Sequence, residues 1–326
     1  MQLIKNTLKT QIQSWLPKTT TDTLTVAEAG LIKVSAASAY TLTLPTAVGH
    51  EGLTYHFVKT DANYNLITLD GNGTETFNFP NDDGVPKQTY TRLNTYCAEV
   101  TVVSDGANWQ CINEKLGQVP NCYVYANIAQ SKIPSEQLCR IELDTESLDI
   151  GSNFDMSAWI SGSASATTAN HLIDTVNNPF TSAMEGCRIH NTTDDTWAWI
   201  TAYNSTSDVT VSEDIFVNGE NYELKQSKFV TPINGVYEIK ASVRYNIGIV
   251  ADHEYSCSPN VAGQNYHFML HASAPVQLNA SNFLIMKLSA SDEIILRVYH
   301  ASGGGSTGIQ GHLGATYLMV RLVSKT

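Results

Sequence analysis

Two histidines, His267 and His271, lie four residues apart, the spacing by which one face of a helix offers two imidazoles to zinc. The run Tyr266-His267-Phe268-Met269-Leu270-His271 reads instead as a strand. On a strand both rings share a side but stand about 13 Å apart, so one chain does not close a metal site with them. The arrangement left open is a ring of histidines from several copies. Asp194-Asp195 and Glu213-Asp214 could hold Ca²⁺ together with turn carbonyls, although the twelve-residue calcium-loop spacing is absent. Asp252-His253-Glu254 suits a pH-sensitive or cation-binding loop, or a plain solvated one. Ser302 and Ser306 flank Gly303-Gly304-Gly305 with no histidine–acid pair placed to activate either, which makes the segment a flexible loop tip. No Gly-x-Ser-x-Gly elbow or P-loop is present, and no carboxylate pair is singled out for glycoside cleavage. The chain is therefore expected to be a non-enzyme with no catalytic residue and no resident cofactor, Ca²⁺ being the one cation with candidate ligands. Tyr255, Tyr266, Tyr299 and His300 fall at expected loop positions and are the candidates for contacts with sugar or protein surfaces; packing beneath the loops is the alternative.

The elements that carry these residues are read from composition and periodicity. The 326 residues are 42% hydrophobic and only 15% charged, which is room for two or three domains with substantial cores. The net charge is −12, and it is concentrated: residues 141–224 hold 14 acidic side chains and one basic one, Arg188. Such a body repels phosphate backbones, which speaks against nucleic-acid binding. No apolar run of about 18 residues is present, so no membrane insertion is expected. No secretory leader pattern opens the sequence, and the six cysteines (Cys97, Cys111, Cys122, Cys139, Cys187 and Cys257) show no zinc or disulfide spacing. Free, buried thiols in a reducing compartment are expected.

Residues 1–16 place Ile4, Leu8, Ile12, Trp15 and Leu16 on one helical stripe, with Leu3 beside it, and Pro17 ends the pattern. About four turns do not stand alone in water, so this amphipathic helix must dock: as a cap on the chain's own first domain, in a three-chain bundle, on a membrane surface or as an anchor in a larger assembly. The anchor is the expectation, with 1–23 forming helix plus linker. Beyond residue 24 nearly everything alternates at period two between Asn, Asp and Gly turns, the signature of an all-β chain. The expected division is a first β-domain over 24–116, a connector over 117–139, an acidic second β-domain over 140–225, and a head over 226–326. In Tyr237–Tyr245 every odd position is apolar or aromatic and every even one polar. Tyr317–Val323 is apolar on both faces except at Arg321, which suits a sandwich interior on one side and a subunit interface on the other.

Three patterns carry a resemblance. Leu42-Thr43-Leu44-Pro45, Asn65-Leu66-Ile67-Thr68-Leu69 and Ser104-Asp105-Gly106-Ala107-Asn108-Trp109 resemble small β-domains of tailed-bacteriophage fibre and decoration proteins. Gly186 to Asp195, Trp199-Ile200-Thr201-Ala202 and Gly219-Glu220-Asn221-Tyr222 resemble a module that recurs in phage virion proteins. Phe229, Pro232, Gly235-Val236-Tyr237, then Leu288, Asp292, Ile294, Leu296 and Val298, resemble the jelly roll of tumour-necrosis-factor ligands and complement globular heads, with Ser291 where that family usually has glycine. The resemblance implies a homotrimeric jelly-roll head whose core and trimer contacts come from Phe229, Tyr237, Ile239, Ile294, Leu296, Val298, Tyr317 and Met319. It implies a virion protein assembled in the host cytoplasm, joined to capsid or tail proteins through its N-terminus, with the head touching a host-surface glycan or protein. A cement or adaptor protein that contacts only other virion proteins is the alternative, and a depolymerase a more distant one.

Overall fold

A computed structural model describes residues 15–78, 87–274, 277–303 and 306–325. Among them there is no α-helix, only two 3-10 turns at Val26–Glu28 and Ser182–Met184. The chain divides into two compact units, residues 1–119 and 120–326.

The first unit contains β1 (Leu16–Lys18), β2 (Asp22–Thr23), β3 (Gly30–Val34), β4 (Tyr40–Thr43), β5 (Thr54–Lys59), β6 (Ile67–Asp70), β7 (Phe77–Asn78), β8 (Thr89–Leu93), β9 (Glu99–Ser104) and β10 (Trp109–Lys115). One sheet has the order β1-β3-β5-β9-β10-β7 and the other β2-β4-β6-β8. The first six strands alternate between the two sheets and pair parallel with their own kind, so the chain coils between layers before the antiparallel β9–β10 hairpin closes one sheet. Period-two alternation gives each strand an inward row, and Leu42, Ile67, Tyr55, Phe57 and Trp109 bury between the layers. Each such side chain adds about 1.5–3 kcal/mol by leaving water.

The expected N-terminal helix is corrected at its end. Leu3, Ile4, Leu8 and Ile12 lie outside the described residues. Trp15 is half exposed, and Leu16 with Pro17 forms β1 against Ile32 and Lys33 of β3. Pro17 fits there because β1 is an edge strand, where a missing N–H breaks no ladder.

The second unit begins with β11 (Asn121–Tyr125), β12 (Gln130–Ile133), β13 (Cys139–Arg140), β14 (Thr145–Ile150) and β15 (Phe154–Asp155). Next come β16 (Ala158–Ser163), β17 (His171–Ile173), β18 (Arg188–Asn191), β19 (Thr196–Ser205), β20 (Asp208–Val211) and β21 (Asn221–Lys225). It ends with β22 (Lys228–Val230), β23 (Gly235–Ile247), β24 (Glu254–Val261), β25 (Gln264–Asn265), β26 (Phe268–His271), β27 (Leu278–Leu288), β28 (Glu293–His300), β29 (Thr307–Ile309) and β30 (Tyr317–Lys325).

Two antiparallel seven-stranded sheets form a sandwich. One runs β12-β29-β23-β30-β11-β14 with β27 on β23; the other runs β15-β22-β28-β24-β25 with β13 on β28 and β26 on β24. Phe229 meets Tyr237 across the layers (ring centres 6.4 Å apart), and Tyr245 meets Tyr255 (5.1 Å). Gly235 opens β23 where a Cβ would fall 2.3 Å from Leu322 Cδ1, which is why glycine precedes Val236-Tyr237. The stretch 117–139, expected as a connector, carries β11, β12 and β13, all paired into the sandwich. Short strands interrupted by Pro120 and Pro134 leave too little periodicity to be seen in advance.

The acidic block is an insertion. β16-β21-β18-β19-β20-β17 make their own six-stranded sheet around Phe180, Met184, Ile189, Ile200, Phe216 and Tyr222. The chain leaves and returns through one ribbon: Phe154 pairs with Phe229 and Asp155 with Lys228 in the sandwich, and Ala158 pairs with Lys225 just beyond.

Candidate functional site

The outward face of the sheet β14-β11-β30-β23-β27 displays a group of large apolar side chains around a cluster of charges. Cross-strand register places Leu148, Tyr123, Met319, Lys240 and Phe283 in one row, with Tyr125 and Tyr317 in the next row and Glu238, Arg321 and Ile285 on the other side. Phe283 and Ile285 are 54% and 61% exposed, and Leu148 and Val323 are close to half exposed. Tyr123 and Tyr317 rings lie 5.3 Å apart, and the Lys240 ammonium lies 5.4 Å from the Phe283 ring centre. Between the apolar groups, the buried Glu238 carboxylate takes Lys240 Nζ on one oxygen and Arg321 Nη2 on the other, each at 2.5 Å. These two hydrogen bonds hold its carboxyl below the ordinary value. The carboxylate is thereby shared by both cations, which leaves the trio one positive charge, and the aromatic and aliphatic side chains around it are left to seek a partner.

The residues expected in the head's core divide by sheet face. Phe229, Tyr237, Ile239, Ile294, Leu296 and Val298 are buried, whereas Tyr317 and Met319 are half-buried and point outward on β30. Alternation along β30 puts Leu318, Val320 and Leu322 inside instead. Sequence reasoning saw the two-faced strand but missed Tyr123, Leu148, Phe283 and Ile285; β27's alternation of exposed apolar residues was the available signal.

Two of the four expected recognition residues are corrected. Tyr255 and His300 are buried on β24 and β28, not displayed on loops. Their rings stack 5.9 Å apart, and the Tyr255 hydroxyl accepts from Val250 N at 2.7 Å. His300 Nε2 faces the Ile133 carbonyl at 2.9 Å, and Nδ1 faces Ser302 Oγ at 2.9 Å. Burial pulls the His300 pKa below its ordinary value, partly opposed by the Ile133 carbonyl. Ser302 thus has a histidine neighbour that sequence spacing did not reveal, but that histidine's far nitrogen meets a carbonyl and not a carboxylate, so no triad forms. Tyr266 and Tyr299 are half-buried. Tyr299 lines an open groove of about 410 Å³ with Glu136, Leu138, Glu254, His267 and Met269. His267 Nδ1 meets Ser258 Oγ, which meets Ser256 Oγ, each at 2.8 Å, so the imidazole is anchored from below.

The candidate cation ligands are scattered. Asp195 contacts His190 at 2.9 Å, Glu213 contacts Lys132 at 2.8 Å, and Asp214 accepts from Asn170 N at 3.3 Å. Asp194 is hydrogen-bonded to Glu220, which pushes its carboxyl up. Among the described residues no group of three His, Cys, Asp or Glu side chains is arranged to hold a metal ion.

No family model and no curated protein matches the sequence. Among solved structures, the globular domain of zebrafish complement 1qA covers 64% of this chain and 99% of its own, at 8% identity and a TM-score of 0.32. Murine APRIL covers 63% and 100% at 6% identity and 0.30. Eiger TNF from S. frugiperda covers 64% and 96% at 10% identity and 0.24. The all-β sandwich itself is established by the strand pairing described above.

Proposed function

We propose that this protein is a non-enzymatic structural component of a phage virion, that it acts as a homotrimer, and that its N-terminal segment joins it to other capsid or tail proteins while its sandwich head meets host-surface material. The observation that carries the trimer is the outward face of β11, β30, β23 and β27. Its exposed Phe283 and Ile285 and its internally neutralised Glu238 suit a buried subunit contact better than permanent exposure to water. The virion role rests on the three sequence patterns and on the β-only succession of modules. The burial of Tyr255 and His300 favours a second reading for the head, in which it contacts only neighbouring virion proteins.

Light scattering on the full-length protein tests the assembly. A mass near three times 35.6 kDa is expected, and a monomer overturns the proposal. Tyr266→Ala with Met269→Ala separates the two roles of the head: loss of binding to host cells with normal particle assembly supports host contact, and impaired assembly supports the second reading.

A further inference from the structure

The insertion rests on the sandwich at Arg140. The Arg140 backbone N–H donates to the Gly186 carbonyl at 2.7 Å, and Cys187 and Arg188 follow. A small cavity of about 10 Å³ lies at this junction, lined by Arg140, Glu142, Cys187, Arg188, Lys225 and Ser227. That is about the least space that holds a single particle the size of a water molecule. Arg188, the lone cation among 14 acids in 141–224, points here, and Arg140 and Lys225 flank that stretch in sequence.

The charges in the cavity do not balance. Three cations face one carboxylate, and Glu142 serves them loosely: its oxygens stand 3.8 Å from Arg188 Nη1 and 3.5 Å from Lys225 Nζ. Burial pushes the Glu142 carboxyl up, against its charged form. Arg140 is only 7% exposed, yet among the described residues its Nε and Nη2 have no hydrogen-bond partner. A fourth cation, Arg297, sits directly opposite Arg140 in the β13–β28 ladder, and its buried Nε also has no partner among the described residues. Three further carboxylates act on these cations from a distance and have other hydrogen-bond partners: Asp144 accepts from Asn127 N, Glu293 from Lys228 Nζ, and Asp155 from Ser157. Trp159 and Trp197 cover the faces of the Arg140 and Arg188 guanidinium groups, and edge N–H groups of Arg140 are the ones left over. Buried cations with unfilled donors are costly unless an anion joins them.

We propose that this cavity binds a monovalent halide, chloride in solution, held by the free guanidinium edge of Arg140 with Arg188 and Lys225 around it, and that the ion fastens the insertion to the sandwich. The volume is too small for a tetrahedral oxyanion such as phosphate or sulfate. Thermal unfolding of the full-length protein is measured in sodium chloride and in sodium gluconate at equal ionic strength. A midpoint higher in chloride, by about 5 °C at hundredfold saturation, is expected; equal midpoints overturn the proposal. Lys225→Met, at a partly exposed side chain, should keep the fold and shrink the chloride response, and Arg140→Met should abolish it; an unchanged response in both overturns the proposal. Crystals soaked in sodium bromide provide a reading independent of any variant: an anomalous peak between Arg140 and Arg188 is expected, and its absence overturns the assignment.

Discussion

Lys59 has no solvent exposure, and its ammonium is held by Asp61 and by Asn63 Oδ1 at 3.2 Å. Burial lowers its pKa despite that carboxylate. Asp61 also accepts from Ala36 N at 2.8 Å, so one side chain serves a buried charge and a backbone donor. Asp61→Ala should therefore destabilise the first unit by about 3–5 kcal/mol, read by urea unfolding; Lys59→Met added to it should recover part of that loss. His300 makes the opposite kind of demand. Its folded pKa lies below the ordinary value of 6.5, so the unfolded chain binds the proton more readily. Stability is thus full above about pH 6.5 and falls as pH drops through the depressed folded value. His300→Phe should remove that share of the acid sensitivity, measured as the change of unfolding midpoint between pH 7.5 and 5. A wild-type midpoint that is flat over this range would contradict the assignment of His300 as a buried neutral ring.

At the scale of elements, β30 and β27 decide how the head presents itself. Ile285→Lys places a charge at a site that is 61% exposed in the single chain. It should leave the far-ultraviolet spectrum unchanged and reduce the light-scattering mass towards 35.6 kDa; a trimer that survives it would move the interface elsewhere. The strands themselves were partly legible. The odd-in, even-out rhythm of Tyr237–Tyr245 predicts the buried Tyr237, Ile239, Ala241, Val243 and Tyr245, and Asp105-Gly106 predicts the turn that sets Trp109 opposite Ser104. Parallel pairing in the first unit was not legible, because alternation gives a strand two faces but does not name its neighbour. Leu16-Pro17-Lys18 went astray since three residues at an edge take their conformation from β3. Tyr255 and His300 went astray since a polar sequence neighbourhood does not reveal that the opposite sheet covers them. The Arg140 cavity joins residues more than 80 positions apart, beyond the reach of any local motif.

The second unit as a whole is a sandwich interrupted once, between paired strands. Asp155 and Lys228 face each other in register, so the ends of the insertion are already at hairpin distance. Replacing 157–226 by an Asn-Gly turn should give a soluble, antiparallel β protein, judged by circular dichroism and cooperative melting. It should melt lower than the parent, because Ser131, Gln137 and Arg140 lose their partners in the insertion. A variant that fails to fold at all would show that the insertion is an integral part of the head's core and not an addition to it.

The pairing of β11 with β30 has a mechanical consequence. Asn121 lies opposite Arg321, and the Pro120 carbonyl accepts from Leu322 N at 3.0 Å, so the chain enters and leaves this unit side by side at one end of adjacent antiparallel strands. Tension applied between those two ends loads the ladder one rung at a time, as a zipper is opened, whereas tension along the strands would strain all rungs together. The joint is therefore weak against traction on its own termini. If the proposed assembly seats a neighbouring copy across Tyr123, Tyr125, Tyr317 and Met319, that copy would act as a clasp over the zipper and make assembly a source of tensile strength as well as of shape.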